Sequence, residues 1–197
     1  MALSSIENVG DEIASYANRA VGSMVSLHAR GRRIGTGTIW HEDGFIITNA
    51  HVADFDRSLG VTLQDGRDAS ARIIGMDREQ DVAVLSIDAE NLPTVEIGDS
   101  RKLRPGEFVF SMGFPWGIPD GLTAGVVITN GKWIENGNRS NRDWLIASLR
   151  LRPGHSGGPM LDSHGRLVGI NTMMHGPYVG AAVPSHVVKA SLKKIVG

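Results

Sequence analysis

The sequence predicts an all-β fold with a helix at each end. Three observations predict it. Short runs rich in β-branched and apolar residues recur from about residue 21 to residue 184. Glycine, proline or Asp-Gly punctuates them throughout. Only the two ends carry apolar residues at helical spacing.

The elements follow in chain order. Residues 3–20 place Ile6, Val9, Ile13, Ala17 and Ala20 on one helical face, with Ser4 or Ser5 positioned to cap it. "VGSMVSLHAR", "RIGTGTIW" and "FIITNA" are strands separated by Gly or Asp-Gly. "GVTLQDGRDASARIIGM" is a hairpin, with Asp65-Gly66 supplying a left-handed turn. "DVAVLSID" is apolar almost without break, as a strand buried on both faces must be. The polar, turn-rich stretch at about 89–107 reads as a linker. "FVFSMGF", "LTAGVVITNG", "DWLIASLRL", "GPMLD", "RLVGINTMM" and "YVGAAVP" repeat the strand style, and "SHVVKASLKKIV" closes the chain as a helix capped by Ser185. About a dozen short strands in two halves imply two packed β-barrels or a sandwich. The expected division is a helical segment over 1–20, a first β unit over 21–100, a second over 101–184 and a closing helix over 185–197, together one domain.

Composition narrows the function. Basic and acidic residues number 20 and 21 and are interleaved, so no charged block marks the chain for nucleic acid or an anionic membrane surface. The absence of cysteine excludes disulfides, thiolate metal sites and a cysteine nucleophile. The first twenty residues lack the apolar run of a signal peptide or a membrane span. As written they imply a cytoplasmic protein, or an extracytoplasmic one if a leader has been trimmed.

"RLRPGHSGGPMLD" contains a serine, Ser156, among small residues that let a substrate carbonyl approach. A serine hydroxyl attacks an amide only with a base in hydrogen-bond reach, and the base needs an acid to fix its tautomer. The stretch also fits Gly-x-Ser-x-Gly, but that elbow requires a following helix and later acid and histidine. Here Pro159 and a hairpin follow instead. Of seven histidines, His28, His41, His155, His164, His175 and His186 have structural readings in strands, turns or the last helix. His51 ends the apolar strand "GFIITNAH" at a rim, and Asp81 opens the buried strand "VAVLSI", where a carboxylate wants a partner. His51, Asp81 and Ser156 follow the histidine, aspartate, serine order of the double-barrel serine proteases.

With these residues in place, "GTGTIWHEDGFIITNAHV", "DREQDVAVLSI" and "LRPGHSGGPMLDSHGRLVGINT" together resemble the trypsin-like peptidase domain of the HtrA or Deg type. "GFPWG", "LTAGVVI" and "AAVPSHVV" resemble further segments of that group in the same order. The resemblance covers about Val21 to Lys189. It implies two six-stranded antiparallel β-barrels with a cleft between them, His51 as general base and then acid, Asp81 as the orienting carboxylate, and Ser156 as nucleophile. It implies an oxyanion hole in the loop Gly154, His155 and Ser156, with the backbone amides of Gly154 and Ser156 as donors. Ile170, Asn171 and Thr172 are implied as an edge strand that pairs with an extended polypeptide substrate, and Leu151 as a wall of an apolar pocket. No cofactor or metal is implied.

Three departures accompany the resemblance. His155 stands where the HtrA group usually has asparagine and zymogen-activated proteases have aspartate, so activation by a new amino terminus is not expected. No PDZ domain follows the closing helix in the sequence. The trimer common in the group is implied through the N-terminal segment, which offers Tyr16 as its one aromatic. No acidic residue stands at the base of the expected pocket, which argues against cleavage after Lys or Arg. Arg150 and Arg152 would favour acidic residues if turned inward, and are otherwise exposed strand residues.

Rival functions are a latent protease or chaperone-like peptide binder with an inactive oxyanion loop, and a serine esterase using the same triad. A metallohydrolase fails because His41-Glu42 is followed by no second histidine at helical spacing.

Overall fold

A computed structural model describes residues 2–56, 58–132, 134, 135, 138, 139 and 142–197. In chain order, helix α1 (Ala2–Val21) leads into strands β1 (Met24–Ala29), β2 (Arg32–His41) and β3 (Phe45–Thr48). A one-turn helix α2 (Ala50–Ala53) follows, then β4 (Leu59–Thr62), β5 (Asp68–Asp77) and β6 (Val82–Ser86). The second half contains β7 (Phe108–Gly113), β8 (Gly121–Gly131), a small pair β9 (Ile134–Glu135) and β10 (Asn138–Arg139), then β11 (Trp144–Ala147). Strands β12 (Pro159–Asp162), β13 (Leu167–Gly176) and β14 (Val179–Pro184) precede helix α3 (Ser185–Val196).

Two closed barrels result. The first runs β1-β2-β3-β6-β5-β4 and the second β11-β14-β13-β12-β7-β8, all by antiparallel pairs. Closure removes the sheet edges that an open sandwich would leave. The alternative of a sandwich is thereby settled in favour of barrels. The hairpin turn at Asp65-Gly66 forms as expected, with Gly66 at φ 85°.

Each barrel has its own apolar filling, including Leu27, Ile46 and Leu85 in the first and Val109, Leu145 and Met160 in the second. A third cluster joins them. Met24, Ile47 and Val84 of the first barrel meet Phe110, Met112 and Ile170 of the second, with Ala20 of α1 and Val188 of α3. The stretch at 89–107 is packed rather than loose. Leu92 and Val95 are buried, and Leu167 and Glu96 are joined by a backbone hydrogen bond of 2.7 Å.

Both helix starts differ from expectation. Helix α1 begins at Ala2, ahead of Ser4 and Ser5, whose side chains lie outside the described positions, as do those of Ile6 and Val9. At α3, Pro184 occupies the cap position and Ser185 is the first helical residue. The Ser185 hydroxyl donates instead to the Gly98 carbonyl at 2.9 Å, tying the helix to the inter-barrel connection. Helix α3 also docks through buried Asp77, which accepts from Ser191 Oγ at 3.0 Å and Lys194 Nζ at 3.4 Å. Among the described residues no helix is long and apolar enough to cross a membrane.

Candidate active site

Strand β3 ends at Thr48, earlier than the sequence pattern implies, and His51 stands on α2 rather than on the strand. The extended Asn49 turns the chain there, and its buried side-chain amide donates to the Asp81 carbonyl at 3.2 Å and to Thr172 Oγ1. The turn carries the ring toward Asp81. His51 Nδ1 lies 2.9 Å from Asp81 Oδ2, and the His51 backbone amide donates to Asp81 Oδ1 at 3.0 Å. A carboxylate only accepts, so Nδ1 carries the proton and Nε2 is left as an acceptor. The Asp81 side chain is 11% exposed and the His51 side chain 50%, so the carboxylate is sheltered while the ring is open to solvent.

Asp81 precedes β6, whose five residues are all buried. Its backbone is left-handed, at φ 58°, a region that Asp tolerates better than most side chains. From the second barrel Thr172 Oγ1 donates to Asp81 Oδ2 at 3.2 Å. The acid thus accepts three donors, two from the His51 segment and one from β13.

Ser156 lies on the loop between β11 and β12. Its hydroxyl donates to the Thr172 carbonyl at 3.0 Å. Among the described residues it makes no hydrogen bond to the His51 ring. The loop's amides can be accounted for one by one. The His155 amide donates to Arg152, Gly157 to Asn171 and Gly158 to His155, each at 2.9 Å. Those of Gly154 and Ser156 have no acceptor among the described residues. Hence His155, grouped with the oxyanion residues in the sequence, commits its amide elsewhere.

Glycine is required at two of these positions by space as well as φ. A Cβ at Gly154 (φ 104°) would stand 2.1 Å from the Phe114 carbonyl oxygen, and one at Gly157 (φ 84°) 1.9 Å from that of Thr36. Such approaches exclude any side chain.

Strand β2 braces this loop from the other barrel. The Thr36 amide donates to the Ser156 carbonyl at 2.9 Å, Thr36 Oγ1 to the Gly154 carbonyl at 2.6 Å and Thr38 Oγ1 to the Gly157 carbonyl at 3.1 Å. The sequence reading missed Thr36, Thr38 and Asn49 as site residues. Their signal was present in "GTGT" and "TNAH": small polar residues inside otherwise apolar strands, which must bond something when buried.

His155 is buried behind the loop. Its Nδ1 accepts from the Arg152 amide at 3.1 Å, while Nε2 is buried without a partner. Burial lowers its pKa below 6.5; a protonated Nδ1 could donate to the Arg152 carbonyl 3.2 Å away, which opposes the decrease, and the Arg152 charge adds to it.

Beside Ser156 a cavity of about 260 Å³ is lined by Leu151, Arg152, Pro153, Thr172, Met173 and Met174. The Leu151 amide donates to the Met174 sulfur at 3.1 Å, holding its wall. Ile170 and Asn171 do not reach it. Ile170 pairs with both Pro159 and Val183, and Asn171 is fully buried, bonding Met112, Pro159 and Ser111. The expected edge therefore begins at Thr172. Arg150 is exposed over Tyr178, at 5.9 Å from its ring, so it does not turn into the cavity.

A second Asp–His–Ser chain exists and carries no such chemistry. Asp143 Oδ2 lies 3.2 Å from His186 Nε2, and His186 Nδ1 2.9 Å from Ser100 Oγ. Ser100 is fully buried and already bonded by Ser185, so no substrate carbonyl can reach it.

A sequence profile of the trypsin-like peptidase domain matches residues 35–170. The chain belongs to that family. Its curated relatives include a "Probable periplasmic serine endoprotease DegP-like" of Halomonas elongata, 37% identical over 161 residues, which are 78% of this chain and 33% of the relative. A protein of the same description from Chlamydia trachomatis is 34% identical over 171 residues, 82% of this chain and 33% of the relative. The chain thus spans about one third of the length of these relatives. Among solved structures, the HtrA-type protease AlgW with decapeptide superposes with TM-score 0.85 at 27% identity, over 93% of this chain and 67% of that one. The same protease with tripeptide gives TM-score 0.85 at 30% identity, over 93% and 63%. The trypsin-like peptidase domain and its HtrA or Deg kinship, read from the motifs, are borne out.

Proposed function

We propose that this trypsin-like peptidase domain is a serine endopeptidase acting on extended or unfolded polypeptides, in HtrA-like quality control or regulated proteolysis. The observation that carries the reading is the turn 154–158, in which, among the described residues, the Gly154 and Ser156 amides lack an acceptor, beside the His51–Asp81 pair.

The chemistry follows from the residues. The Ser156 hydroxyl turns from the Thr172 carbonyl to His51 Nε2, gives it the proton and attacks the scissile carbonyl carbon. Asp81 stabilises the resulting imidazolium and holds its orientation. The carbonyl oxygen, now an anion, receives the Gly154 and Ser156 amides, each donor contributing about 3–4 kcal/mol in such sites. His51 passes the proton to the leaving amine as the C–N bond breaks, leaving an acyl ester on Ser156. Water, deprotonated by His51, then attacks the ester, and the proton returns to Ser156 as the acid product leaves.

Leu151, Met173 and Met174 give the adjoining cavity an apolar wall, which suits a medium-sized apolar residue before the scissile bond. The open edge from Thr172 onward offers backbone pairing to an extended chain. The latent-site reading is not favoured, because the Pro153 carbonyl accepts from the Trp116 amide at 2.9 Å rather than competing for the two free donors. The periplasmic relatives support an extracytoplasmic setting over a cytoplasmic one. Assembly as a homotrimer through α1 is part of the same proposal.

Incubation with an unfolded, cysteine-free casein-like protein, beside Ser156→Ala, tests the reading by mass-spectrometric mapping of cuts. Cuts after apolar residues that vanish in the variant are expected. Wild-type protein that is folded and leaves the substrate whole would sink the proposal.

A further inference from the structure

A second cavity, of about 360 Å³, borders Pro153 and Gly154. Arg32, Arg33, Ile34, Phe114, Trp116 and Pro153 form most of its lining. The two cavities share Pro153, with Gly154 on the second and Ser156 on the first, so they adjoin along the Ser156 loop. A peptide whose acyl side fills one can extend its departing side toward the other.

We infer that this second cavity binds the leaving side of the substrate and selects an acidic residue at one of the first two positions after the scissile bond. The inference rests on the peptidase reading and adds a specificity to it.

Charge carries the argument. Arg30, Arg67, Arg78, Arg101, Arg104 and Arg166 each hold a carboxylate partner. Among the described residues Arg32 and Arg33, which line this cavity, hold none, as do Arg152 of the neighbouring cavity and Arg19, Arg72 and Arg150 elsewhere. Arg33 is nevertheless fixed: its Nη1 donates to the Gly117 carbonyl at 2.6 Å and its guanidinium lies 5.8 Å from the Phe114 ring centre. Arg152 lies 5.3 Å from the Trp116 ring centre. Aromatic faces orient these cations without neutralising them. No aspartate or glutamate lines the cavity. The field of Arg33 also reaches His28, where it adds to burial in lowering the pKa, against Asp68.

The backbone supports the same use. Trp116 is 67% exposed and left-handed at φ 52°, a strained state for an aromatic residue that its hydrogen bond to Pro153 helps maintain. On β2, pairing with β1 shifts register between Leu27 and His28, leaving Ile34 opposite no residue, and pairing with β3 starts only at Thr38. Residues 32–35 therefore present an open backbone edge along which an extended chain can lie.

The test uses quenched peptides with one apolar residue before the scissile bond and Glu, Ala or Lys at the first or second position after it. The expected result is kcat/KM about tenfold higher for Glu than for Lys at one position. That ratio should shrink as salt shortens the screening length from about 8 Å at 0.15 M. In Arg32→Gln and in Arg32→Gln/Arg33→Gln it should fall toward one. The single variant guards against loss of the Arg33 anchor to Gly117. Equal cleavage of Glu and Lys peptides, or a ratio unchanged in both variants, overturns the inference. Binding of the same peptides to Ser156→Ala, followed by fluorescence anisotropy, reads the cavity without turnover. Tighter Glu binding that depends on Arg32, with no wild-type cleavage, would sink the peptidase reading and keep the cavity's selectivity. Cleavage that vanishes in Ser156→Ala without any acidic preference would do the reverse.

Discussion

At the scale of single residues, His155 has the clearest thermodynamic consequence. Its ring is buried, accepts from the Arg152 amide and keeps a pKa below 6.5. In the unfolded chain the same ring takes a proton near 6.5, while the folded chain resists it until lower pH. The folded state therefore has this contribution in full above 6.5 and loses it as pH falls from there through the lowered value. Melting temperature should drop on acidification across that window, and His155→Asn, which cannot titrate, should flatten the drop. His28, also lowered by burial first and by Arg33 next, leaves a residual slope of the same sign in the variant. Identical slopes in both proteins would show that His155 does not titrate with folding. This residue was legible in the sequence only as a neighbour of Ser156. Its burial was not, because it depends on Gly113 and Gly158 allowing the loop to close on β7: Cβ atoms there would stand 2.9 Å from His155 Cα and 2.2 Å from the Met112 carbonyl oxygen. His51, Asp81 and Ser156, the proposed triad, stood out because each breaks a local pattern, whereas Ile170 and Asn171 looked like an edge and are interior.

At the scale of elements, β2 does most to connect fold and chemistry. It belongs to the first barrel, yet Thr36 and Thr38 hold three carbonyls of the Ser156 loop in the second. Thr36 Oγ1 both donates to the Gly154 carbonyl and accepts from the Phe114 amide at 3.2 Å. In the proposed mechanism it is a positioning residue, fixing the peptide plane next to a proposed oxyanion donor without touching substrate. Thr36→Val keeps the shape and removes both bonds. We expect kcat to fall about tenfold, short of the hundredfold or more typical when a donor itself is removed, with KM nearly unchanged. Thr36→Ser should restore kcat, which a purely packing role would not predict. A loss confined to KM, or no rescue by serine, would refute the assignment. Element positions were read well wherever apolar periodicity was strong, as in β6 and the Asp65-Gly66 hairpin. The caps were not: Ser185 has the residue type of a cap, but a tertiary acceptor, the Gly98 carbonyl, outcompetes the helix for its hydroxyl.

At the scale of the whole molecule, the two barrels share the burden of the site. His51 and Asp81 come from the first and Ser156 and Thr172 from the second, so any relative motion would separate the proposed base from the proposed nucleophile. Strand counting could anticipate two halves, but not how they meet, since alternation along a strand does not say which barrel its outward face touches. The shared cluster answers that. Met112 is 1% exposed, lies among Ile47 and Val84 of one barrel and Phe110 and Ile170 of the other, and its carbonyl accepts from buried Asn171 at 3.1 Å. Helices α1 and α3 add Ala20 and Val188 to the same cluster, and the connection adds Val95. With this cluster common to both halves, opening one exposes apolar surface of the other, and unfolding should be one transition. Calorimetry should give equal calorimetric and van't Hoff enthalpies. Met112→Ala should lower that single transition, costing about 2–5 kcal/mol for the cavity left behind, without splitting it. Two resolved transitions in the wild type, or a variant in which only one half melts early, would mean that the barrels are independent units held together mainly at the cleft.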